Sequence, residues 1–199
     1  MSKLNEYLKD KKEAIDARNQ RLALESTVVS QKLKAGVRVA GRSGVREIRI
    51  RDFQVISDSG PDFGGHQLGP ASPELQLGVL GSCLSHITLI QAAVRGVPLD
   101  AVEVDVTGDM HPLAGKPGYE DIPVYVHNIA YTLRIESSAT AKELAELHEA
   151  VEIACPILNL LQQPQHVSGT LLHIQTEEAA VQGKAKVSRR QSKPKTRQA

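Results

Sequence analysis

The sequence predicts an α+β domain with antiparallel sheets around one long buried helix. Three observations lead there. Residues 72–94 read S-P-E-L-Q-L-G-V-L-G-S-C-L-S-H-I-T-L-I-Q-A-A-V, a run with almost no polar face, as a buried helix requires. Several other segments alternate apolar and polar residues, the period of half-buried strands. Those segments follow one another as hairpins and meanders, without a helix after each strand. The order is helix, hairpin, strand, long helix, two strands, two helices, strand, with no internal repeat.

At the N-terminus, residues 3–21 place Leu4, Leu8, Lys11 and Ile15 on one thin stripe among charges. Such a helix lies on a surface, against a partner subunit, or free as a solvated arm. From Leu24 the period becomes two. Leu33, Ala35, Val37 and Val39 alternate with mostly polar residues, Gly41-Arg42-Ser43-Gly44 has turn composition, and Ile48 and Ile50 alternate beyond it. This is a hairpin with Arg42 at its tip. At Asp52 the phase flips to Phe53 and Val55, so a bulge or a new strand begins there. Residues 57–71 form a loop rich in turn formers.

Ser72 is expected to cap the central helix, with Pro73 at its first position. Gly96 and Pro98 end it. Glu74, Gln76, His86 and Gln91 interrupt the apolar run, and no second stretch of that length occurs, so it reads as a core helix and not a membrane span. Val102, Val104 and Val106 mark a strand, as do Tyr125, Ile129, Tyr131, Leu133 and Ile135. Thr140 and Glu143 form a capping box for a helix carrying Leu144, Leu147 and Val151. Cys155-Pro156 opens a short helix over 157–161 and puts Cys155 at its cap. Residues 167–174 read as a final strand. Three parts are expected: a helical extension at 1–22, a domain at 23–177 and a basic, disordered, solubilising tail at 178–199.

A chain of 199 residues with a net charge of +1 gives no reason to expect a nucleic-acid or membrane partner. With no Trp, two Phe and four Tyr, it has no base-stacking platform. The charged N-terminus is not a signal peptide, and two cysteines without a C-x-x-C pair point to a reducing, cytoplasmic setting. The histidines show no ligand spacing, so no metal is expected.

The chemistry-bearing residues are the two thiols. Cys155 at a helix N-terminus should be the more acidic, because unpaired N–H groups and the helix dipole favour a thiolate. Cys83 lies mid-helix in apolar company, which raises a thiol unless a cation reaches it; Arg42 is the cation on offer. His86, one turn after Cys83, could pair with it as in a cysteine hydrolase, although a buried, hydrogen-bonded histidine fits the same position.

Five stretches, in order between Glu25 and Gln175, resemble the OsmC/Ohr family of thiol-dependent hydroperoxide reductases. P-E-L-Q-L-G-V-L-G-S-C-L resembles its first-cysteine helix and C-P-I-L-N-L-L its second-cysteine motif. Gly115 to Ile122 resembles its entry into a long strand, D-F-G-G-H-Q-L-G-P-A-S-P-E the loop before the helix, and G-R-S-G the hairpin with an active-site arginine. The resemblance implies an intertwined homodimer with active sites at the interface. It makes Cys83 the peroxide-reacting thiolate, Arg42 and Glu74 its partners, and Cys155 the thiol that resolves its sulfenic acid to a disulfide. No cofactor is implied; an external dithiol, small or lipoyl-type, would reduce the disulfide. Pro73 and Cys83 stand one residue closer than is usual in the family, and one residue turns a helical side chain by about 100°.

The leading expectation is therefore a cysteine peroxidase acting on organic hydroperoxides. The alternative is an OsmC-like small-ligand-binding or redox-sensing protein without turnover.

Overall fold

Alternating apolar residues and glycine turns build the first sheet. The computed structural model describes residues 2–42 and 44–174. Strand β1 (Gly36–Ala40) passes through Gly41, Arg42 and Gly44 into β2 (Val45–Ile50). Gly41 and Gly44 adopt φ of 65° and 72°, left-handed values that glycine takes without a steric cost. The phase change at Asp52 is a tight turn, with Arg51 at φ 54°, into strand β3 (Phe53–Ser57). All pairs are antiparallel, and the register lines up Val37, Ile48 and Val55 across the sheet. Val37, Val39 and Phe53 are exposed.

The loop to the central helix is organised by Asp58, which is buried. Its Oδ2 accepts hydrogen bonds from the N–H groups of His66 (3.0 Å) and Leu68 (3.2 Å). Gly65 packs so closely that a Cβ there would lie 2.0 Å from the Ser59 carbonyl oxygen.

Helix α2 spans Ser72–Arg95. Ala71, not Ser72, occupies the cap, so Ser72 is the first helical residue and Pro73 the second. The cap N–H is taken by Glu74, whose Oε2 accepts it at 2.6 Å. Gly96 ends the helix at φ 71°. Leu80, Gly81, Leu84, Thr88, Ala92 and Ala93 form a buried face. Val79 and Val94, on the other side, are half exposed (50% and 49%), so in the single chain α2 is buried along one face and not all round. By length and composition α2 could cross a membrane, but that buried face packs into the core.

The second sheet joins β4 (Ala101–Asp109) and β5 (His127–Glu136), antiparallel, with a register shift between Thr107 and Asp109. Gly81 brings α2 onto β4: a Cβ there would sit 3.3 Å from Val106 Cγ2. Helix α3 (Ala141–Ala154) starts at the expected box, with Glu143 Oε2 accepting from Thr140 N–H (2.8 Å) and Thr140 Oγ1 from Glu143 N–H (3.3 Å). Helix α4 (Pro156–Gln162) follows at once. Leu80, Leu84, Leu99, Leu147 and Val151 centre the core between these elements.

The N-terminal helix α1 (Lys3–Ala23) is not a free arm. Asn5 Oδ1 accepts from Leu99 N–H (2.9 Å), Ser2 Oγ donates to the Leu99 carbonyl (3.3 Å), and Leu8 is buried. The first turns thus dock where α2 ends.

The chain divides into two units, Met1–Pro164 and Gln165–Ala199. In the second, residues 167–174 form no strand, which corrects the sequence expectation; Val167, Leu171, Leu172 and Ile174 are exposed. Apolar alternation makes a strand only where a neighbouring edge supplies hydrogen bonds, and the described part of that unit contains none. The basic stretch at 178–199 lies outside the described residues.

Candidate active site

Proline chemistry sets up the meeting of the two thiols. Pro156 has no N–H to continue α3, so the chain breaks there and restarts as α4. One side chain reaches the carbonyls at the break: Asn159 Nδ2 donates to the oxygens of Glu152 (3.2 Å) and Ile153 (3.3 Å), and to that of Cys155 (2.8 Å), which also accepts the Asn159 backbone N–H (3.0 Å). This corner carries Cys155, which is 0% exposed. Helix α2 carries Cys83, half-buried. The two sulfurs lie close enough for Cys155 to raise the Cys83 thiol, and both are free thiols.

The helix end acts on the other sulfur from the one the sequence nominates. Cys155 does occupy the cap of α4, but its side chain makes no capping bond. The backbone N–H of Ile157, in the first turn, instead acts on Cys83 and favours its thiolate. Sequence position identifies the cap residue, but the tilt of α4 against α2 decides which sulfur the donor faces. Burial pushes the Cys83 thiol up, the Ile157 N–H opposes that, and the neighbouring Cys155 thiol pushes it up again; the net effect is upward.

Cys83 opens into a cavity of about 540 Å³. Pro70, Leu75, Val79 and Ile157 make its wall apolar, and Glu74 and His86 lie at its edge. His86 is exposed rather than buried. Glu74 shares the cavity, but its carboxylate is held by the Ala71 N–H, roughly 13 Å of helix rise from Cys83. Arg42 is exposed at the hairpin tip, and no cation acts on Cys83 among the described residues. The single chain therefore brings together Cys83, Cys155 and one edge of Glu74's environment, and leaves Arg42 apart. No group of three or more His, Cys, Asp or Glu suited to a metal occurs among the described residues.

Sequence reasoning missed a second polar cluster. Tyr131 on β5 donates its hydroxyl proton to Glu152 Oε1 (2.6 Å) and lies 2.7 Å from His148 Nε2. Burial, the Glu152 hydrogen bond, the Glu152 charge and Cys155 all push the Tyr131 hydroxyl up, so it stays protonated. The signal was present: His148 and Glu152 stand one helical turn apart just before Cys155.

The sequence matches the family model described as OsmC-like protein over residues 64–168. No curated protein matches it. The fold is similar to an OsmC-like protein from Mycoplasma pneumoniae, with TM-score 0.58, 19% identity and coverage of 67% of this chain and 89% of that one. It is also similar to a putative osmotic stress induced and detoxification response protein from Psychrobacter arcticus, with TM-score 0.53, 15% identity and coverage of 67% and 90%. An OsmC-like protein of unknown function from Vibrio cholerae matches with TM-score 0.51, 12% identity and coverage of 65% and 93%. At these identities the likeness is one of fold.

Proposed function

Because the chain belongs to the OsmC-like protein family, we propose that it is a thiol-dependent peroxidase that reduces organic hydroperoxides through Cys83 and Cys155. The observation that carries this reading is the pairing of a half-buried thiol, open to an apolar cavity, with a fully buried thiol close enough to act on it.

The chemistry follows from that arrangement. The Cys83 thiolate attacks the terminal oxygen of the hydroperoxide. The O–O bond breaks, an alcohol leaves after taking up a proton, and Cys83 becomes a sulfenic acid. Cys155 attacks that sulfur, water leaves, and a Cys83–Cys155 disulfide forms. An external dithiol then restores both thiols by exchange, attacking Cys83 from the cavity because Cys155 is enclosed. The apolar wall suits the alkyl or aryl part of an organic hydroperoxide.

The thiolate needs help, since burial raises Cys83. We assign that role to Arg42 of the partner subunit in a homodimer. Two observations support a dimer: Val37, Val39 and Phe53 stand exposed on the first sheet, and Val79 and Val94 stand exposed on α2. The raised Cys83 and the apolar cavity also favour a second reading, a small-ligand-binding or redox-sensing protein that does not turn over.

The deciding experiment is intact mass spectrometry of the reduced protein with one equivalent of cumene hydroperoxide. Loss of two hydrogens, with the Cys83 and Cys155 peptides linked, supports the peroxidase. An unchanged mass, with both thiols alkylated only in denaturant, overturns it in favour of ligand binding.

A further inference from the structure

One hydroxyl ties the sheet to the helix that ends at the resolving thiol. Tyr131 Oη donates to Glu152 Oε1 (2.6 Å), which leaves its oxygen to accept from His148 Nε2–H at 2.7 Å. Both partners lie in the last two turns of α3, and Cys155 caps that helix one turn after Glu152. Between β5 and α3 runs a cleft lined by Ile129, Ile135 and Leu144, so this polar contact bridges a gap that apolar packing leaves open. The Tyr131 ring packs against the same buried cluster as Cys155.

We propose that Tyr131 is a positioning residue for Cys155: by holding the C-terminal turn of α3 against β5, it sets the Cys155 sulfur for attack on Cys83. The inference rests on the reading above only in taking the two thiols as partners in one disulfide. Thiol–disulfide exchange needs the three sulfurs in line, and a displacement of about 1 Å from a near-attack geometry costs up to about 100-fold in rate. Asn159 fixes the backbone of the corner from the α4 side. Tyr131 fixes it from the sheet side. The hydroxyl remains protonated where thiols titrate, so the tie persists while Cys155 reacts.

The test uses the full chain, reduced, mixed with a chromogenic aryl disulfide. The Cys83 thiolate attacks the reagent, whose S–S bond breaks; one aryl thiolate is released and the other half joins Cys83 as a mixed disulfide. Cys155 then loses its proton and attacks the Cys83 sulfur. The Cys83–aryl bond breaks, the Cys83–Cys155 bond forms, and a second aryl thiolate leaves. The first phase reads access to Cys83 and the second reads the placement of Cys155. Tyr131→Phe should keep the first phase within about twofold and slow the second about tenfold or more. Glu152→Ala, at a half-exposed side chain outside the buried core, should slow the second phase alone. Glu152→Gln retains an acceptor for the Tyr131 hydroxyl and should recover most of the rate. A second phase at the wild-type rate in Tyr131→Phe overturns the proposal, and so does a change of both phases in step. A wild-type protein that shows both phases yet consumes no hydroperoxide sinks the peroxidase reading and leaves this one standing.

Discussion

The Ile157 N–H favours the thiolate of Cys83, although Ile157 belongs to the helix that Cys155 caps. One short helix thus serves both thiols: its cap residue supplies the buried sulfur and its first turn a donor toward the half-buried one. The donor favours a thiolate at Cys83, but desolvation outweighs it and the thiol is raised overall. On the peroxidase reading proposed above, Arg42 of the partner subunit supplies the cation that offsets this balance.

Replacing Arg42 tests that cation. In Arg42→Met, the pH profile of Cys83 alkylation should move upward, and peroxidase turnover at neutral pH should fall about tenfold or more. Iodoacetamide kinetics from pH 6 to 10 measure the first effect. Identical profiles for the variant and the wild type would remove Arg42 from the site.

The two cysteines should fail differently. Cys83→Ser should abolish hydroperoxide reduction. Cys155→Ser should consume one equivalent and stop, with a sulfenic acid that a dimedone-type probe labels at Cys83. Steady turnover by Cys83→Ser would contradict the mechanism.

Asn159 holds three carbonyl oxygens at the break between α3 and α4. Asn159→Ala should lower unfolding stability by about 1 kcal/mol in urea titrations, because the Glu152, Ile153 and Cys155 carbonyls lose the side-chain donor they share while Cys155 keeps the Asn159 backbone N–H. An unaltered midpoint would show that the corner stands without it.

Asp58 should give the loop before α2 an acid limit. The N–H groups of Ser59, His66 and Leu68 hold its carboxyl below the ordinary value, with a smaller contribution from Arg46. A folded-state value below the unfolded one means that the stabilisation is complete above the ordinary carboxylate range. It is lost as pH falls through the folded value. Thermal midpoints from pH 6 to 3 should therefore fall less steeply in Asp58→Asn than in the wild type, whose midpoint at pH 6 should be higher by a few degrees. Parallel curves would assign the acid limb to other groups.

Periodicity and cap chemistry made most elements legible. The hairpin around Arg42, the strand change at Asp52, the Thr140–Glu143 box and the Gly96 stop are local features, decided within a few residues of chain. The same signals misled where a second element had to cooperate. Residues 167–174 alternate like a strand but form none, because alternation does not supply a pairing edge. Glu74, the third residue of α2, accepts the Ala71 N–H, a capping contact that the apolar pattern of the helix does not indicate.

By itself the sequence determined the two thiols, the helices that carry them, and the family to which their motifs belong, since each depends on residue type and spacing along the chain. The tertiary structure decided that the Ile157 donor faces Cys83, that Cys155 is enclosed, and that Tyr131 ties His148 and Glu152 to the sheet. Those contacts join elements far apart in the chain, and their geometry is set by how α2, α3, α4 and β5 pack on one core, which no local pattern encodes.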